Sequence, residues 1–158
     1  MQEFLPYAWF EGKCIPFKDA KVSIATHALH YGTAAFGGMR AIPNPSNKDE
    51  YLLFRTDKHI KRLSQSARLL LTEISEEYIF NALKTILKKN KPTKPIYIRP
   101  FVYTSDLGIA PRLHNIETDF FIYCIELGDY LSPDGVSCRM SSWTRQEDRS
   151  LPLRGKIS

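Results

Sequence analysis

The sequence predicts an α+β domain, a two-layer sandwich in which a mostly antiparallel sheet carries two packed helices. Three observations lead there. Two adjoining segments in the middle of the chain repeat apolar residues at helical spacing. Short runs rich in β-branched and aromatic residues lie before and after them. The connections between these runs are too short for βαβ crossovers, which favours an antiparallel meander.

In order, residues 8–15 read as a hairpin, two apolar runs flanking a Glu11-Gly12 turn. Residues 21–25 are a strand candidate, residues 43–49 (Pro-Asn-Pro-Ser-Asn-Lys-Asp) a loop by composition, and residues 51–55 a returning strand. The first helix carries the stripe Ile60, Leu63, Ala67 and Leu70, with Asp57 as its expected cap. Ser75 is the expected cap of the second, with Glu76 and Glu77 in the first turn and Ile79, Leu83, Ile86 and Leu87 as its stripe. Lys88-Lys89-Asn90 before Pro92 marks its end. Three further strands are expected at residues 96–104, 120–126 and 136–143, followed by a charged, loop-like tail.

Composition excludes several classes of protein. With 43% apolar and 25% charged residues the chain is not of the disordered type. Cys14, Cys124 and Cys138 are odd in number and widely spaced, so reduced, buried thiols in a cytoplasmic protein are expected, with neither a disulfide framework nor a thiolate zinc site. The first residues lack the basic and apolar regions of a signal peptide, and no apolar run approaches the roughly 20 residues of a membrane span. Much of the net charge of +5 falls at residues 84–94, where lysines at a helix end complement its dipole; no nucleic-acid motif accompanies them, and no nucleic-acid or membrane partner is expected.

Chemistry concentrates in residues 27–40, His-Ala-Leu-His-Tyr-Gly-Thr-Ala-Ala-Phe-Gly-Gly-Met-Arg. Gly32, Gly37 and Gly38 allow tight bends and close backbone approach. His27 and His30 lack a third ligand at a supporting spacing, so no metal site is expected. The segment fits either a tight turn packed on the sheet or part of an active site. In the strand Tyr97-Ile98-Arg99, alternation sends Tyr97 and Arg99 to one face, where a phenol beside a guanidinium fork suits a carboxylate. A solvated sheet face is the alternative. Arg62 and Lys156 carry no signal when taken singly.

Taken together, these residues resemble a known family. The run at residues 20–40 is similar to the corresponding run of branched-chain amino acid aminotransferases, pyridoxal-phosphate-dependent enzymes of fold type IV. So are Tyr97-Ile-Arg-Pro100, Leu107-Gly-Ile109, Gly128-Asp-Tyr-Leu131, Ser141-Ser-Trp143 and Arg154-Gly-Lys-Ile157, in order along essentially the whole chain. The resemblance implies an N-terminal domain at residues 1–131. Residues 132–158 would be a linker and the first strand of a C-terminal cofactor-binding domain, the chain ending just past its cofactor lysine.

The resemblance also implies roles. Lys156 would attach to pyridoxal 5'-phosphate and shuttle a proton, and Arg62 would hold the cofactor phosphate. Tyr31, Phe36, Gly38, Arg40, Tyr97, Arg99 and Tyr130 would line the substrate pocket, with Arg99, assisted by Tyr31, taking the γ-carboxylate of glutamate. Leu107 and Ile109 would reach the neighbouring subunit's site, which implies a homodimer or higher homo-oligomer. The reaction would move the amino group of Leu, Ile or Val to 2-oxoglutarate. The acid for the pyridine nitrogen and most phosphate-binding amides lie beyond the lysine in this family, so the chain alone is expected to be inactive, with Lys156 two residues from a fraying terminus and nothing fixing its rotamer. The chain carries Gly37 where many members carry Glu. A D-amino acid aminotransferase, an aminodeoxychorismate lyase and a non-catalytic domain of the same fold are the alternatives.

Overall fold

Apolar residues spaced by two give strands, and those spaced by three and four give helices, along most of the chain. In the computed structural model, which describes residues 3–128, 131–144 and 146–157, the elements run β1 (Glu3–Phe4), β2 (Tyr7–Phe10), β3 (Lys13–Pro16), α1 (His27–Tyr31), β4 (Ala34–Phe36), β5 (Met39–Asn44) and β6 (Asn47–Leu53). Then come α2 (Thr56–Arg68), α3 (Glu76–Asn90), β7 (Ile96–Thr104) and β8 (Thr118–Glu126).

All the strand pairings are antiparallel, as expected, but the order is not a meander. The main path is β3-β2-β8-β7-β5-β6, with β1 added to β8 and β4 to β7. The last strand in sequence therefore sits between β2 and β7, and the ends of the domain are knitted together. One sheet face carries the helices. Ile60, Leu63 and Ala67 of α2 and Ile79, Leu83 and Ile86 of α3 pack on Ile96, Ile98, Phe120, Ile122 and Cys124 of the central strands. The opposite face is aromatic, with Phe101 stacked on Phe121 at 4.8 Å and Phe121 followed by Tyr123 at 6.2 Å.

Several expectations hold in detail. The β2–β3 turn places Glu11 and Gly12 at φ 48° and 77°, the doubly positive pattern of a tight hairpin turn. Ser75 caps α3 by accepting a hydrogen bond from the Tyr78 amide at 3.0 Å. β7 has the expected bounds, and β8 begins two residues earlier than expected.

Others are corrected. Residues 21–25 form no strand, for Val22 and Ile24 are exposed and find no neighbour to pair with among the described residues. Residues 43–49 are no loop but the tip of the β5–β6 hairpin, where Asn44 folds its side chain onto the Ser46 amide. Pro43 is tolerated there because the β5–β7 pairing ends at Ala41, which leaves β5 paired on one side only at Pro43. The returning strand stops at Leu53, since Arg55 turns the chain at φ 52°. That turn starts α2 at Thr56, so Asp57 lies inside the first turn rather than capping it. Residues 136–143 form no strand either, with Val136, Met140 and Trp143 all exposed. The cysteines are unpaired, yet only Cys124 is buried; Cys14 is half-buried and Cys138 exposed. Among the described residues no helix is long and apolar enough to cross a membrane.

Candidate active site

β7 builds the centre of the site. Its alternation buries Ile96 and Ile98 against the helices and leaves Tyr97 and Arg99 half-buried on the aromatic face. Register brings Arg40 of β5 opposite Tyr97 and Tyr123 of β8 opposite Arg99. The Arg99 guanidinium lies 4.7 Å from the Phe36 ring centroid and 5.2 Å from that of Tyr97. Its Nε is buried and has no hydrogen-bond partner among the described residues. Such an atom calls for an acceptor.

Gly38 makes the Tyr97 position possible. A Cβ at Gly38 would stand 2.5 Å from the Tyr97 hydroxyl oxygen and 2.9 Å from a ring carbon, so any side chain there would displace the phenol. Gly37 is similarly close to Pro100, whose Cγ would meet an added Cβ at 3.0 Å. A glutamate at that position would require Pro100 to yield.

Gly38, Arg40, Tyr97 and Arg99 line one cleft of about 660 Å³, together with Phe54 and His59. Its lining includes two arginines and no carboxylate among the described residues, which favours an anion. Arg40 is steadied by donating from Nη2 to the Leu127 carbonyl at 3.2 Å. Burial and then the charge of Arg62 lower the His59 pKa, against the opposing effect of Asp57. Phe54 and His59 were not foreseen. His59 lies three residues before Arg62 on α2, a helical spacing that puts both on one side and was the available signal.

Lys156 reaches this group from the far end of the chain. Its carbonyl accepts from the Phe36 amide at 3.0 Å, its own amide donates to Ser66 Oγ at 3.0 Å, and Ala35 bridges Ile157. The backbone at Lys156 is therefore held, contrary to expectation. Its Nζ stands 4.5 Å from the Phe36 ring centroid, so Lys156 and Arg99 share one aromatic neighbour. Ser66 Oγ in turn donates to the Arg62 carbonyl at 2.8 Å, which links the backbones of the two residues expected to hold a cofactor. The Arg62 side chain is exposed.

Three expected residues gather elsewhere. Tyr31 packs its ring 4.6 Å from that of His27, and the loop carrying Leu107 and Ile109 docks beside it, with both side chains exposed. Tyr130 lies outside the described residues. No cluster able to hold a metal ion occurs among the described residues.

Lys156 and Arg99 converge on the Phe36 ring, and Arg99 shares its cleft with Arg40 and Tyr97, an arrangement that suits an anion. Residues 35–157 match the profile of the amino-transferase class IV family, and the chain belongs to that family. Within it, the chain is 63% identical over 158 residues to a probable branched-chain-amino-acid aminotransferase of Synechocystis sp., covering 100% of this chain and 52% of the relative. The branched-chain aminotransferase of Thermoproteus uzoniensis, solved with norvaline, superimposes with a TM-score of 0.88 at 27% identity, covering 99% of this chain and 52% of that one. The branched-chain amino acid aminotransferase of Thermobaculum terrenum, solved in its PLP form, gives 0.77 at 28% identity, covering 98% and 51%. The chain spans about half the length of the relatives it matches.

Proposed function

We propose that this chain is the N-terminal half of a pyridoxal-phosphate-dependent branched-chain amino acid aminotransferase, which moves the amino group of Leu, Ile or Val to 2-oxoglutarate. The observation that carries the reading is the convergence of Lys156 and Arg99 on Phe36, with the Arg99 Nε buried and unpartnered among the described residues.

The residues present suit the cofactor. An amine, an exposed guanidinium and an aromatic wall are the donor set that an anionic, aldehyde-bearing ring requires, and Ser66 ties the backbones of Lys156 and Arg62 to each other. Pyridoxal phosphate, when bound, supplies the electron sink that lets an amino group leave one carbon skeleton and join another. Lys156 anchors it and carries the proton to and from the substrate Cα, a task suited to an amine whose basicity changes readily with its surroundings. Arg62 offers its fork to the phosphate. Arg99 and Tyr97 take a substrate carboxylate, and Arg40 adds positive charge at the cleft. Phe36 excludes water and meets the aliphatic side chain, and Gly38 keeps Tyr97 seated. Tyr130 is assigned to the same pocket. Leu107 and Ile109 complete the site of a neighbouring subunit, which makes the enzyme a homodimer or larger, and the unpaired cysteines suit the cytoplasm. The domain boundary falls at residues 131–132.

The test is on Lys156 in the natural protein at its full encoded length. Borohydride treatment followed by peptide mapping should find the pyridoxyl group on Lys156, and Lys156→Ala should lose both that label and the protein-bound visible absorption. A label that survives Lys156→Ala on another lysine refutes the assignment.

A further inference from the structure

The glycine-rich segment contains a buried imidazole that the proposed reaction does not use. His27, 3% exposed, places Nε2 2.8 Å from the Ala110 carbonyl oxygen and Nδ1 2.9 Å from Thr33 Oγ1 and 3.0 Å from Thr104 Oγ1. A carbonyl only accepts, so Nε2 carries the hydrogen of its bond, and in the neutral ring Nδ1 accepts from a threonine hydroxyl. Thr33 and Thr104 are themselves in hydrogen-bond contact, and all three side chains are buried. The ring orientation is therefore fixed from both sides.

The loop after β7 hangs from residues 25–27, and His27 supplies two of the bonds. The His27 amide donates to the Asp106 carbonyl at 2.9 Å, the Gly108 amide to the Ala25 carbonyl at 3.3 Å, and the His27 ring to Ala110. Thr26 bridges Leu107. These bonds bracket Leu107 and Ile109, which point outward with 62% and 88% of their surface exposed. Gly108 lies at φ 150° with nothing within 4 Å of an added Cβ, so no group packs against the tip at that position, and the bonds from residues 25–27 hold the segment.

We propose that His27 is a positioning residue that sets the conformation of the Leu107–Ile109 tip and, through it, the fit of the aliphatic side chain of the amino acid substrate. The substrate half of this inference rests on the function proposed above. The anchoring half does not. His27 touches neither substrate nor cofactor; it acts by holding two apolar side chains in one place.

The test uses the natural protein at its full length. His27→Ala should speed amide exchange at Gly108 about tenfold, the effect of losing one hydrogen bond's worth of local stability, while the amides of Ile98 and Ile122 in the β7–β8 pair are unchanged. It should raise the KM for leucine about fivefold with kcat within about twofold of wild type, and this effect should vanish when Ile109→Ala is already present. His27→Gln, which keeps a donor, should recover much of both losses. If His27→Ala does not fold, Thr104→Val is scored the same way, because it removes one of the two hydroxyls that orient the ring. Unchanged exchange at Gly108 overturns the inference, and so does a KM effect that simply adds to that of Ile109→Ala. A wild-type protein that fails to transaminate leucine while Gly108 exchange still responds to His27→Ala overturns the functional reading and leaves the anchoring by His27 supported.

Discussion

At the scale of single residues, Arg99 is the proposed determinant of what the cleft recognises. A guanidinium flanked by two aromatic rings, with a buried Nε lacking a partner among the described residues, is arranged for a planar acceptor such as a carboxylate. Lysine at this position keeps the charge but loses the fork. In the full-length protein, Arg99→Lys should therefore slow the half-reaction with glutamate or 2-oxoglutarate more than the half-reaction with leucine, by on the order of 1–3 kcal/mol of transition-state binding. Single-turnover rates with each substrate measure this, and equal losses would show that Arg99 does not choose between them. The pairing of Tyr97 with Arg99 was legible from strand alternation alone. The fit of Tyr97 against Gly38 was not, because 59 positions separate them in sequence and only the β5–β7 register brings them together.

At the scale of elements, the helices follow their sequence signals unequally. Ser75 accepts from the Tyr78 amide and so satisfies a donor at the start of α3. Ser75→Ala should lower the stability by about 1 kcal/mol, seen as a lower denaturant midpoint with an unchanged slope. Asp57→Ala is the contrast. Asp57 caps nothing and its pair with Lys58 is exposed, so its loss should cost less than about 0.5 kcal/mol. A larger cost for Asp57 than for Ser75 would contradict this assignment of the caps. The strands that failed to form, at residues 21–25 and 136–143, share a cause. Their β-branched and aromatic residues give strand propensity, but propensity alone does not seat a segment on a sheet edge, and neither segment pairs with β3 or β6.

At the scale of the whole molecule, a single sheet with helices on one face provides a core, while its aromatic face carries the candidate site. This 158-residue chain on its own should unfold cooperatively, yet form no glutamate from leucine and 2-oxoglutarate above the background of free pyridoxal phosphate, because it spans about half the length of its relatives. Turnover above that background would mean that the chain is a complete enzyme. The sequence by itself determined the fold class, both long helices, the central strands and the family, since each depends on local periodicity, on a cap, or on motifs contiguous in the chain. Tertiary structure alone decided which strands neighbour one another, and therefore that Lys156 meets Phe36 across 120 positions and that His27 holds the loop at Ala110 across 83. Periodicity records which face of an element is buried. It carries no record of what the opposite face meets, because that is set by long-range register, which is encoded by the summed packing of the core and not by any one segment.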